Sequence, residues 1–248
     1  MKYKIKILKM EGIMESKNIK YLPGLDHIRA YAAVLMVIYH SILFLSYDQS
    51  YNRVFALDEW IYTKNFLSPL LIEGHTAVAL FMVLSGFLFY LITYEKKIFY
   101  WKFIQNRILR IYPLFLFLIF VGISSYAGNF DFIIFLKTIF GFDNMPPQLM
   151  IGPYNAVSWA ISVEFMFYLV FPFLIKIIKG KKDFFMLILL FVVFKELSYL
   201  AGCSARDITY GTILGRMDQF IIGMFVSYLY IKFQNSNFKM RKGCFCFF

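Results

Sequence analysis

Residues 76–94 read TAVALFMVLSGFLFYLITY, nineteen positions without one charged side chain. No face of a helix built from them is polar, so the run is not an amphipathic helix lying on a soluble core. About 20 apolar residues, rising 1.5 Å each, cross a hydrocarbon layer of roughly 30 Å. The stretch reads as a membrane-spanning helix.

Five more runs share its character: residues 30–47, 111–126, 158–178, 184–200 and 213–233. The run at 111–126 is short and is headed by Pro113, which a helix tolerates in its first turn. Residues 130–142 are also apolar, but Asp131 and Lys137 interrupt them. An interfacial or re-entrant helix is expected there rather than a span. The predicted fold class is an all-α integral membrane protein, a polytopic bundle of six transmembrane helices plus that short element. A basic segment, 1–20, precedes the membrane domain at 21–233, and a basic tail, 234–248, follows it. No small-residue cleavage site follows the first apolar run, so that run is expected to stay in place as a helix.

Composition supports the same class. Apolar residues make up 60% of the chain and charged ones 17%, where a soluble domain carries about 25% charged. Too little polar surface is left to cover a water-soluble globule. The net charge of +11 follows from the distribution of lysine and arginine. Twenty of the twenty-six fall before the first span or in the segments around 96–110, 176–182 and 232–242. With the N-terminus inside, all of those segments are cytoplasmic, as the positive-inside rule requires. Their charge suits anionic headgroups, and no basic stretch has the pattern of a nucleic-acid module, so no nucleic acid is expected as a partner. Cys203, Cys244 and Cys246 match no zinc spacing, and His27, His40 and His75 are too scattered for a ligand set, so no metal is expected.

Several residues bear chemistry at depths where lipid penalises it. Arg29 and His40 are eleven residues apart, three helical turns, and share a face; Asp26 lies a turn before Arg29. His40 is a candidate general base, and an interhelical hydrogen bond explains it equally well. Ser85-Gly86 is a small pair among bulky residues, which favours packing over nucleophilic chemistry. His75 sits where the second span opens outward and is read as an interfacial residue. Arg107 and Arg110, one turn apart, suit either phosphate or lipid headgroups. Glu164 lies inside the fourth span with Tyr168 one turn on, and Trp159 fits an interfacial belt. Glu164 is open to three roles: orienting an imidazole, binding an acceptor sugar, or closing an ion pair. Arg216 with Asp218, and Lys195 with Glu196, are expected to be structural pairs.

Five stretches in this order carry a resemblance: LDHIRAYAAVLMVIYH (25–40), ALFMVLSGFLFY (79–90), RILRIYP (107–113), VSWAISVEFMFYLVFP (157–172) and GRMDQFIIGMF (215–225). Together they resemble the acyltransferase-3 family of membrane O-acyltransferases. The resemblance implies an O-acyltransferase that moves an acyl group, acetyl above all, from cytosolic acetyl-CoA. The acceptor would be a hydroxyl of a cell-envelope or exported carbohydrate, or its lipid-linked precursor. It implies that His40 is the catalytic base, that Arg29 meets the donor, and that Arg107 and Arg110 hold the phosphates of CoA. It also makes Glu164 a site residue, with Ser85 kept as packing. Family members are longer and carry more spans, so the chain is expected to be C-terminally short. The expected location is the cell membrane, multi-pass, with a cytoplasmic N-terminus. Two other readings stay open at this point: a transporter or flippase subunit for an envelope precursor, and an inactive truncated family member.

Overall fold

The computed structural model describes residues 22–50 (main chain alone beyond 41), 74, 76–125, 130–142, 158–203 and 211–235. The N-terminal segment 1–20, His75, Cys244, Cys246 and almost all of the tail lie outside these residues. The described residues form seven helices and no strand: α1 (Pro23–Ser50), α2 (Thr76–Thr93), α3 (Tyr100–Ser125), α4 (Phe132–Ile139), α5 (Ser158–Ile177), α6 (Lys181–Leu200) and α7 (Ile213–Asn235). Three of them, α2, α3 and α5, are long and apolar enough to cross a membrane. The last two helices carry internal charge, Asp183, Lys195 and Glu196 in α6 and Arg216 and Asp218 in α7.

The main core gathers around α7. Phe167, Phe171, Phe184, Phe220, Ile221 and Met224 are fully buried there. Phe167 of α5 stacks on Phe220 of α7 with centroids 3.9 Å apart. The tightest crossing joins α2 to α7, and glycine makes it possible. A Cβ at Gly86 would fall on the Phe220 carbonyl oxygen, and one at Gly223 on the Val83 carbonyl oxygen. Helices in lipid gain little from apolar burial and associate through close packing, which small residues permit. The small-residue signal at Gly86 therefore reports a packing position, as expected.

The outer faces are as apolar as the inside. Phe185, Met186, Leu189, Leu190, Val193 and Leu197 of α6 are all exposed. Lipid tolerates that surface, and the backbone polar groups are satisfied within the helices.

Pro113 marks one correction. It lies within α3 and not in its first turn, because the helix already begins at Tyr100. Arg107 and Arg110 are thus helical. In hydrocarbon, leaving the helix would strand more backbone groups than the one bond that proline removes, so the helix continues through it. Pro172 is carried inside α5 in the same way. The short helix α4 falls within the expected stretch, 130–142. Asp131 caps it, accepting from the amides of Ile133 (2.7 Å) and Ile134 (3.0 Å). The Tyr112 hydroxyl donates to the Ile139 carbonyl at 2.8 Å, which ties its far end to α3.

At the start of α6, the Asp183 carboxylate accepts from the backbone amides of Lys179 (2.6 Å) and Gly180 (2.8 Å). Those two bonds hold its carboxyl below the usual carboxylate range. The bonds favour the charged form, so their support for this helix start is present at neutral pH. It is lost as pH falls through the lowered folded-state value.

Candidate functional site

Within the bundle, α2, α3 and α5 bring part-buried polar side chains near a largely aromatic core. The Ser85 hydroxyl donates to Glu164 Oε1 at 2.9 Å. Tyr168 lies one turn along α5, on the same face as that carboxylate. A carboxylate in such surroundings needs a donor, since an unpaired one costs several kcal/mol, on the order of the full desolvation penalty.

Arg107 of α3 completes the group. Its guanidinium lies over the ring of Phe89, 4.7 Å from the centroid, and 5.5 Å from that of Phe103. Phe89 in turn meets Tyr168 edge-on at 5.1 Å. Such a cation–π seat contributes roughly 0.5–2 kcal/mol. The Arg107 Nε is buried and meets no hydrogen-bond partner among the described residues. Arg110, one turn on, is exposed. The two arginines that look equivalent in sequence therefore part company: Arg107 turns inward and Arg110 outward. Ser85 and Glu164 are bonded directly, Tyr168 lies one turn on, and Arg107 is linked to Tyr168 through the Phe89 ring; these four make a polar ladder.

His40 lies elsewhere. Its helix packs on α2 through Ala32, Leu35 and Ala77. Tyr39 and Leu35 abut Gly74, so His40 is level with the start of α2. The ring is exposed, and its Nδ1 is 2.9 Å from the Met36 carbonyl oxygen. A carbonyl only accepts, so Nδ1 is the donor, and in the neutral ring Nε2 is the basic nitrogen. Tyr39 steadies the ring edge-on at 5.3 Å. Arg29, on the same face, pairs with Asp26 at 3.0 Å. Between them on that face, Met36 packs against both the main core and the α1–α2 cluster. Arg29 and His40 themselves flank that contact, Arg29 part-buried and His40 exposed. No contact among the described residues joins His40 to Glu164.

A second polar group lies at the start of α7. Lys195 of α6 bonds Asp218 of α7 at 2.7 Å, with both side chains 17% exposed. Arg216 sits over the Trp159 ring at 5.7 Å and reaches Gln219 at 3.4 Å. The expectation of structural pairs holds in kind but not in partner. The ion pair joins two helices, whereas sequence neighbours had been paired. Adjacent residues on a helix point away from each other, and a facing helix supplies the counter-charge.

Ser85 is the residue that sequence reasoning passed over. It was read as packing, yet its hydroxyl is a donor to Glu164. One signal pointed to it: a hydroxyl in a run where every neighbour is apolar must find an acceptor or leave a buried group unpaired.

This bundle of apolar helices, with charged side chains drawn partly inside it, defines a helical membrane protein. Comparison with known families gives the class a name. The acyltransferase-3 family, described as an acyltransferase domain, matches residues 22–248, and the chain belongs to it. No curated protein and no solved structure matches the chain.

Proposed function

We propose that this acyltransferase moves an acyl group, acetyl in particular, from cytosolic acyl-CoA to a hydroxyl of an envelope or exported carbohydrate. The observation that carries the reading is the ladder of Arg107, Tyr168, Glu164 and Ser85 inside an acyltransferase-family bundle.

In this reading the chain crosses the cell membrane six times, with its N-terminus and its lysine-rich turns in the cytoplasm. Arg110 and Arg107 receive the anionic donor from that side, and Arg29 meets it further along. His40 Nε2 takes the proton from the acceptor hydroxyl. The hydroxyl oxygen attacks the thioester carbonyl, the carbon–sulfur bond breaks, and the CoA thiolate leaves to take up a proton. Glu164, held by Ser85, binds and orients the hydroxyl-bearing acceptor. The 21–233 segment works as one membrane domain.

The test is transfer of labelled acetyl from acetyl-CoA in membranes that contain the native chain. Label is expected on the envelope glycan fraction, above that of membranes lacking the chain. A transporter would use the same ladder without an acyl donor. No label together with no measurable CoA binding would remove the enzyme reading.

A further inference from the structure

We propose that the end of the bundle where α2 turns into α3 and α5 turns into α6 is a binding surface for anionic phospholipid headgroups. The inference does not depend on the reaction assigned above.

Ring contacts gather the helix ends at this site. Tyr100, opening α3, meets Phe173 near the end of α5 at 5.6 Å. Phe184, opening α6, meets Tyr90 of α2 at 5.7 Å and Tyr228 of α7 at 5.5 Å. The packing thereby collects eight exposed lysines: Lys96, Lys97, Lys102, Lys176, Lys179, Lys181, Lys182 and Lys232. Glu95 and Asp183 stand among them, and Asp183 already serves the backbone amides of Lys179 and Gly180. The surface keeps a large positive excess.

The lysines do not stand alone in water. Lys97 lies 5.5 Å from the Phe99 ring centroid, Lys176 lies 5.8 Å from that of Phe173, and Lys232 lies 4.9 Å from that of Tyr228. In each of these three the ammonium itself sits over an aromatic ring, a contact that involves no carboxylate. Trp101 is 75% exposed, with Phe99 and Phe173 exposed beside it. Farther along the helices, the exposed surface continues as the apolar Leu109 and Met186. A ligand that fits must offer phosphate to the lysines and acyl chains to the rings and leucines below. A soluble nucleotide supplies only the first half, and a neutral phospholipid lacks the net charge. An anionic phospholipid supplies both. Each lysine near such a surface is worth about fivefold in affinity, so four of them discriminate strongly.

The test uses the full chain in nanodiscs with Trp101 as its only tryptophan, through Trp60→Phe and Trp159→Phe. Brominated phosphatidylglycerol and brominated phosphatidylcholine are compared as quenchers at equal mole fraction. The anionic lipid is expected to quench about threefold more strongly. The excess should fall as salt is raised. It should vanish in the Lys97→Gln, Lys102→Gln, Lys176→Gln, Lys179→Gln variant and persist when the same four become arginine. Salt dependence in the native chain decides the matter if the glutamine variant fails to fold. Equal quenching by the two lipids would overturn the proposal. So would loss of the excess on adding adenosine 3′,5′-bisphosphate, which would assign the surface to a nucleotide.

Discussion

Glu164→Gln is expected to lower acyl transfer by about 100-fold or more while the protein remains folded. Glutamine keeps the length of the side chain and an oxygen that can accept from Ser85, so packing is little disturbed. What it loses is the charge, which the acceptor hydroxyl is proposed to meet. Ser85→Ala removes one hydrogen bond to that carboxylate, 2.9 Å long. Such bonds to charged groups contribute about 1.5–3 kcal/mol, so a loss of roughly 10- to 100-fold is expected. Because Ser85 is proposed to act through Glu164, the double variant should be little worse than Glu164→Gln alone. Transfer rates of the four proteins at matched membrane levels check this. Fully multiplicative losses would mean that Ser85 acts independently, and an active Glu164→Gln would remove the carboxylate from the reaction.

The second large effect concerns folding. Gly86→Leu should abolish the folded state, since its Cβ would overlap the Phe220 carbonyl oxygen. A backbone atom cannot turn aside as a side-chain tip can. Overpacking typically costs about 1–3 kcal/mol, and a rigid backbone contact puts this site at the upper end or beyond. Gly24 supplies the control, because nothing lies within 4 Å of a Cβ placed there. Gly24→Ala should be neutral, and the fraction of monodisperse protein after mild detergent extraction separates the two outcomes. Recovery of well-behaved Gly86→Leu protein would mean that α2 and α7 do not cross as described.

The reach of the sequence follows from the range of the forces involved. Uninterrupted apolar length marked α2 and α5 almost to the residue: expected at 76–94 and 158–178, they run Thr76–Thr93 and Ser158–Ile177. Local rules also found a short helix within 130–142, although Asp131, read there as an interruption, turns out to be its cap. Pro113 misled because its usual meaning comes from water, where ending a helix is cheap. Long-range pairing left weaker traces. Gly86 announced a close approach without naming Phe220. Ser85 and Glu164 are 79 positions apart, and Lys195 and Asp218 are 23 apart. Nothing in the spacing of such residues says which helices will face each other. Likewise, Arg107 and Arg110 differ only in which way their helix turns them.

The acyl-transfer account is tested most directly by labelled acetyl-CoA supplied to membranes holding either the native chain or His40→Ala at equal levels. Label is scored on the glycan fraction and on the protein itself. The account predicts label on the glycan with the native chain and background label with His40→Ala, because no other nitrogen takes the place of Nε2. Equal transfer by the two proteins would contradict the account and move the proton acceptor away from His40.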